Sequence, residues 1–316
     1  MTPGAEEVRR FADDLDALLA PDARLGLAVS GGPDSLALLL LAAAARPGLV
    51  EAATVDHGLR AESAAEAQSV ADLCRSIGVP HSILTAHWDE KPATAIQALA
   101  RDARYSLLID WARDRGLAAI ATAHHADDQA ETLLMRLARA AGVGGLAGIR
   151  ARREQSGIAL FRPLLDWRRD ELRAVVESAG VQPVDDPANR DPAHERTRAR
   201  QFLAGGEWPN PRQLAASARH LADAEDALAF VAEALFEERA SRAGDGWSID
   251  ASRLPVELQR RLLLRLFFEA GDVAPRGPDL DRAIASLRAG KRCTLGRLML
   301  TGGERWRAEP VPPRRT

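Results

Sequence analysis

The sequence predicts an α/β protein of two domains, a larger one built on a buried parallel sheet and a smaller, mainly helical one after it. Three observations carry that prediction. Short runs at 25–29, 49–55, 82–85 and 117–123 are apolar on both faces and alternate with amphipathic helical stretches, the pattern of βαβ units with both sheet faces covered. The first run passes directly into the glycine turn Ser30-Gly-Gly-Pro-Asp-Ser35 and then into a second apolar run, 36–45. Proline and glycine cluster at 205–211, beyond which the pattern is helical, so the domains are expected at 1–206 and 207–316.

Each element has a local reason. The helix after the first strand starts near Pro33, whose fixed φ suits a first helical position. Ser63 and Glu66 form a capping-box pattern that opens a helix to about Ile77, and Gly78 to Pro80 ends it. A helix is expected over about 94–115, and another over about 127–141 that stops in Gly142-Val-Gly-Gly-Leu-Ala-Gly148. A strand near 158–160 precedes a helix over about 168–179 and the polar stretch 185–192. Beyond the boundary come one long helix, about 212–242, then 256–270 and 278–289, and an alternating tail, 294–309, that suggests a hairpin.

The glycine turn is a phosphate-binding loop without a lysine. Gly31 and Gly32 lack a Cβ, so their N–H groups can approach an anion closely. Ser30 and Ser35 add hydroxyls, and the helix beginning at Pro33 points its positive end at the same place. Asp34 stands where a cation is usual in phosphate loops. An acid beside phosphates makes sense as a holder of Mg²⁺, which suits a loop that keeps pyrophosphate while chemistry occurs at the α-phosphate. The string resembles the PP-loop of the ATP pyrophosphatase superfamily, an adenine nucleotide α-hydrolase-like, Rossmann-like fold.

Composition excludes several classes. No apolar stretch approaches a membrane span, and the N-terminus lacks a signal-peptide pattern, so a soluble cytoplasmic protein is expected. Cys74 and Cys293 are the only cysteines, far apart, which argues against a disulfide framework or a cysteine-ligated metal. Charge is uneven, net −7 over residues 1–149 and net +4 over 150–316, which makes the second half the anion-facing half.

Polar residues also gather where parallel sheets hold ligands, beyond the carboxyl ends of strands. The second strand ends in Val55-Asp-His-Gly-Leu-Arg60 and the fourth in Ala123-His-His-Ala-Asp-Asp-Gln-Ala-Glu-Thr132. Asp128 and Glu131, three apart on a helix, share a face and suit either Mg²⁺ or an ammonium. Asp127 fits best as a complement to the helix dipole. His124 and His125 lack a third ligand at zinc spacing.

Taken together, Ser30–Ser35, Val55–Arg60, Ala103-Arg-Tyr105, His124–Thr132, Gly142–Gly148, Arg162-Pro-Leu-Leu165 and Asp186-Pro-Ala-Asn189 with Arg196 and Arg200 resemble the tRNA(Ile)-lysidine synthetase family, over about residues 22–203. The chain departs from the family pattern at Ala140, where glycine is usual, at Ala188 for serine, and at Thr197 for asparagine. The resemblance implies an ATP-dependent ligase, in the family's short form, that joins free L-lysine to C2 of cytidine 34 in the CAU anticodon of tRNA(Ile). An adenylated tRNA is the intermediate, AMP and pyrophosphate leave, and the codon read changes from AUG to AUA.

The same resemblance assigns ATP to Ser30, Gly31, Gly32, Pro33, Asp34, Ser35, Asp56, His57 and Arg60, with Mg²⁺ at Asp34. Asp34, Asp128 and Glu131 become the catalytic acids. Lysine and tRNA fall to Arg104, Asp128, Glu131, Asp186, Asn189, Arg196 and Arg200, the helical domain contacts tRNA, and no protein partner is required. Two other readings compete. A tRNA thiolase needs clustered or paired cysteines that this chain lacks, and a non-catalytic nucleotide or RNA binder has no use for carboxylates crowding a phosphate site.

Overall fold

The computed structural model describes residues 2–58, 62–88, 96–184, 195–205 and 208–311. By packing, the chain divides into two compact units, with the division between Ala222 and Asp223.

The first unit holds a six-stranded sheet of β1 (Leu25–Ala28), β2 (Val50–Asp56), β3 (His81–Thr85), β4 (Ala119–Ala121), β5 (Arg152–Gln155) and β6 (Ile158–Phe161), in the order β3-β2-β1-β4-β6-β5. All neighbours are parallel except β5, which pairs antiparallel with β6 at the edge. The expected parallel strands are therefore present, whereas β5 escaped notice because Arg-Arg-Glu-Gln has no apolar alternation; it is an exposed, charged edge strand.

Side-chain parity along the strands explains the layers. In β4, Ala119 and Ala121 join one core with Leu25, Leu27, Val50 and Ala52, while Ile120 joins another with Ala53 and Leu160. The first core is closed by α1 (Ala5–Asp16), α2 (Pro33–Ala45), α3 (Ser63–Ser76) and α7 (Arg169–Ser178). The second is closed by α4 (Ile96–Asp114), through Tyr105, Leu108, Ile109, Trp111 and Ala112. Every residue of α2 from Ser35 to Ala42 is buried, as a helix apolar all round requires. The unforeseen α1 begins where Glu7 accepts a 2.6 Å hydrogen bond from the Gly4 N–H, and it buries Phe11 and Leu15.

Three further helices follow β4 in the chain: α5 (Ala126–Ala138), the single turn α6 (Val143–Leu146) and α8 (Glu195–Ala204). The glycine-rich loop is tied to α5 by its own side chains. Gln129 exchanges two hydrogen bonds with the Ile149 backbone (2.8 and 2.6 Å), and Arg136 donates to the Gly145 and Gly148 carbonyls (2.5 and 3.0 Å). Ala140, where the family usually has glycine, sits at φ 53°, a left-handed conformation that costs an L-residue about 1 kcal/mol.

The second unit holds the expected helices and adds a sheet to them. Besides part of α9 (Pro211–Arg239), α10 (Val256–Glu269) and α11 (Gly277–Arg288), it has a five-stranded antiparallel sheet. Its strands β7 (Ala240–Ala243), β8 (Gly246–Ile249), β9 (Arg292–Leu295), β10 (Leu298–Thr301) and β11 (Trp306–Pro310) run in the order β7-β8-β11-β10-β9. The tail hairpin is real, β9 and β10 joined through Gly296-Arg297, but β7 takes the place of the last turn of the expected long helix and pairs with β8. By packing, the division lies inside α9, beyond the proline-glycine cluster that marks where that helix starts. Ile249, Leu262, Leu266, Phe267, Leu287 and Trp306 form this unit's own core.

Candidate active site

Strand order reverses between β1 and β4, and the segments leaving their carboxyl ends are the phosphate loop and the paired histidines. The loop is shaped by its serines and first glycine. Ser35 Oγ accepts from the Ser30 N–H at 3.1 Å, lies 3.2 Å from Ser30 Oγ and donates to the Gly32 carbonyl at 2.9 Å. Gly31 takes φ 86°, and a Cβ there would meet the Val184 and Val70 side chains at 3.1 and 3.3 Å. Gly32 caps α2, Pro33 opens it, and Asp34 lies in its first turn.

A cavity of about 760 Å³ opens over this loop. Ser30, Gly32, Pro33, Asp34 and Ser35 line one part, with His57, Arg104, His124, Asp128, Arg196 and Arg200 around the rest. These expected residues are brought together. Asp56 is not among them: it folds back on its own turn, accepting hydrogen bonds from Ser63 Oγ (2.6 Å) and the Gly58 N–H (2.9 Å), which hold its pKa below the usual carboxylate range. Arg60, Asp186 and Asn189 lie outside the described residues.

His125 joins the two acid-bearing segments. It is fully buried, with Nε2 3.4 Å from Asp34 and 3.5 Å from Asp128, and Nδ1 3.7 Å from Asp127. Neither ring nitrogen makes a well-formed hydrogen bond, so charge holds the ring among the acids. Burial pushes the His125 pKa down, but Asp34 and Asp128 outweigh it and the pKa is raised. The converse holds for Asp128, which burial pushes up and the charges of His125, His124 and Arg196 bring below its usual range. His124 is driven down to about 4 by desolvation, helped by Arg162, Arg196 and Arg101 against the opposing pull of Asp128, and its Nδ1 shares a 2.9 Å hydrogen bond with Thr122.

The three acids of α5 have separate environments. Asp127 faces α7: it accepts from the Arg168 guanidinium at 3.0 and 3.1 Å and from the Arg169 N–H at 2.9 Å, so it caps a neighbouring helix. Asp128 opens on the cavity. Glu131 is fully buried: Arg169 and Arg200 donate to its Oε1 at 2.8 and 3.0 Å, and Arg196 stands 3.7 Å from Oε2, which has no hydrogen bond.

Sequence reasoning missed Arg168 and Arg169. Two arginines at the start of a helix oppose its dipole, and that misplacement was the available signal for a buried acid opposite them. It also missed Arg101 and Arg162, which with Arg104 gather around Tyr105. Among the described residues no carboxylate lies within ion-pairing distance of Arg104, and desolvation lowers its pKa. This side of the cavity suits an anion.

Mg²⁺ fits Asp34. Its Oδ1 is buried and has no partner, and among the described residues no cluster of three or more candidate ligands exists. One carboxylate is the usual protein share for a magnesium ion that arrives on nucleotide phosphates. Cys74 is buried in α3, its thiol pushed up to about 12 by desolvation, and does not line the cavity, while Cys293 belongs to β9 of the second unit. Among the described residues no helix is long and apolar enough to cross a membrane.

Residues 5–206 match the model of the PP-loop domain family. The chain is 51% identical over 290 residues to a tRNA(Ile)-lysidine synthase of Novosphingobium aromaticivorans, covering 90% of this chain and 88% of that one. It is 43% identical over 317 residues to a tRNA(Ile)-lysidine synthase of Zymomonas mobilis subsp. mobilis, covering 98% and 95%. Among solved structures, the U34-tRNA thiolase NcsA from Methanococcus maripaludis with its [4Fe-4S] cluster matches with a TM-score of 0.60 at 16% identity, over 69% of this chain and 79% of that chain. That likeness is one of fold alone.

Proposed function

The chain belongs to the tRNA(Ile)-lysidine synthase family of PP-loop proteins, and on that premise we propose that it joins free L-lysine to C2 of cytidine 34 in the CAU anticodon of tRNA(Ile) at the expense of ATP. The observation that carries this reading is the meeting of Asp34 and Asp128, from different segments, at one edge of His125, where both border a single cavity. A phosphate site at Asp34 beside an ammonium site at Asp128 would suit a reaction that adenylates a carbonyl oxygen and then aminates the carbon that bears it.

In the first step the C2 carbonyl oxygen of the cytosine attacks the α-phosphorus of ATP, and the bond to the bridging oxygen breaks as pyrophosphate leaves. The N–H groups of Gly31 and Gly32, the Ser30 and Ser35 hydroxyls and the N-terminus of α2 stabilise the charge that grows on pyrophosphate. Asp34, with its unpartnered Oδ1, would hold Mg²⁺, whose charge would offset that of the phosphates. In the second step the lysine ε-amine attacks C2, loses a proton, and displaces AMP as the C2–O bond breaks. Asp128 holds the ammonium beforehand and takes the proton it must lose before the neutral amine can attack; the second proton grows acidic as the C–N bond forms and passes to the departing AMP phosphate. Glu131 holds Arg200, which lines the cavity. Arg104, Arg196 and Arg200 supply anion contacts at the same cavity. An anticodon base is already single-stranded, so bringing it into the cavity costs only a few kcal/mol of unstacking. The reactants fit a cytoplasmic enzyme that works without a protein partner.

Incubation of the protein with ATP, Mg²⁺, lysine and bulk bacterial tRNA tests the reading. Pyrophosphate should need tRNA, whereas AMP should be released only when lysine and tRNA are both present, with lysine incorporated into RNA. AMP release independent of lysine would reject it.

A further inference from the structure

The register of the second sheet sorts its residues into rows that alternate between its faces. One set of rows holds Ile249, Trp306, Ala308, Leu300 and Leu298, all buried in this unit's core. Between them runs Ser241–Ser248–Arg307–Thr301–Arg292, one residue from each of the five strands, on the opposite face. Arg307 and Arg292 are exposed on either side of Thr301. Arg305 joins the same face, its Nε donating to Ser248 Oγ at 3.1 Å.

These guanidiniums differ from those of the neighbouring helices. Arg260, Arg261, Arg265 and Arg282 all pair with carboxylates, namely Asp281, Glu225, Glu269 and Asp279. Among the described residues no carboxylate lies within ion-pairing distance of Arg292, Arg305 or Arg307, and the next row on their face contributes one acid, Glu309, beside Met299 and Thr294. Arg307 and Arg292, on strands flanking β10, stand roughly 9–10 Å apart by the strand spacing. Like charges at that spacing, interleaved with hydroxyl donors and left without counter-ions, match a polyanion's backbone better than any neutral or cationic surface.

We propose that this face of the second sheet, through Arg292, Arg305 and Arg307 with the Ser248 and Thr301 hydroxyls, binds phosphodiesters of the RNA substrate away from the reacting base. The inference rests on the RNA-modifying function given above and moves the expected RNA contact from the helices, where Arg260, Arg261, Arg265 and Arg282 are paired with acids, to the sheet. Because the contacts are to phosphate, they add affinity without reading sequence.

The test uses the full chain and the double variant Arg292→Ala/Arg307→Ala, with Arg282→Ala as the ion-paired control. Fluorescence titration with full-length tRNA at several salt concentrations should give weaker binding for the double variant, and a dependence of log affinity on log salt shallower by about 1.5 to 2 units, two phosphate contacts' worth. Its KM for tRNA should rise while kcat at saturating tRNA stays unchanged. Arg282→Ala should match the wild type, and Arg292→Lys/Arg307→Lys should recover most of the salt slope because charge is kept. An unchanged slope and affinity in the alanine pair, or no recovery by the lysine pair, overturns the proposal. Lysine-dependent AMP release by the wild type is scored separately, so a failure of the enzyme reading is told apart from a failure of this surface.

Discussion

Asp128 and Glu131 stand one helical turn apart on α5, carry the same charge, and live in opposite environments. Asp128 faces the cavity with histidines for company, and among the described residues no guanidinium is hydrogen-bonded to it. Glu131 is sealed among Arg169, Arg196 and Arg200, two of which come from α8. The difference teaches that spacing on a helix can nominate acids but cannot rank them. An exposed lone pair binds a substrate cation; one already holding guanidiniums organises the wall around it. Each substitution below should move a different quantity if that division is right.

The largest effect belongs to Asp128→Asn. Loss of the charge that holds the ammonium and of the group that takes its proton should lower lysidine formation by about 10²- to 10⁴-fold. Adenylation should persist, leaving an adenylated tRNA visible on acid gels or by mass. If both steps fall together, Asp128 serves the nucleotide side with Asp34 instead.

Glu131→Gln should act first on stability. Removing the acid strands three guanidiniums, and a cost of about 3 kcal/mol is expected, the low end for breaking a buried pair because Arg196 and Arg200 keep a third or more of their surface in water. The unfolding midpoint should drop by roughly 6–12 °C. Both half-reactions should weaken together, since Arg196 and Arg200 also line the cavity. A variant of unchanged stability whose KM for lysine alone rises would make Glu131 a direct ammonium ligand and erase the distinction from Asp128.

What the sequence disclosed follows the same logic. The phosphate loop was legible because its function is written in backbone demands: Gly31 needs φ 86° and a space without a Cβ, and only glycine announces that. The parallel strands were legible because burial on both faces leaves continuous apolar runs, as in Ala119–Ala121. Elements without an apolar face were not. β5 is Arg-Arg-Glu-Gln and β7 is Ala-Ser-Arg-Ala, each held by a partner strand distant in pattern if not in sequence. The pairing of Glu131 with Arg169 spans 38 residues and that with Arg200 spans 69, contacts no local period encodes. Asp127 was rightly set apart from the other acids, yet the helix it caps is α7 rather than its own.

His124 sharpens the comparison through pH, with the smallest expected effect. Its imidazole lies near Asp128, which favours the charged ring, and near Arg162, Arg196 and Arg101, which oppose it; desolvation decides the outcome and places the pKa at about 4 against an ordinary value of 6.5. A depressed pKa means that the folded protein binds this proton less tightly than the unfolded chain does. Stability is therefore full above pH 6.5 and is lost progressively as pH falls from there through about 4. Asp128, whose pKa is also lowered, adds a loss of the same sign at the acid end. In His124→Asn the contribution between pH 6.5 and about 4 should vanish while that of Asp128 remains, so its stability-against-pH curve should be flatter there than the wild type's, whereas Glu131→Gln should lower the curve without flattening it in that window. Denaturant titrations at half-unit pH steps would separate the two shapes, and a His124→Asn curve parallel to the wild type would mean that the imidazole beside Asp128 is not held neutral by the fold.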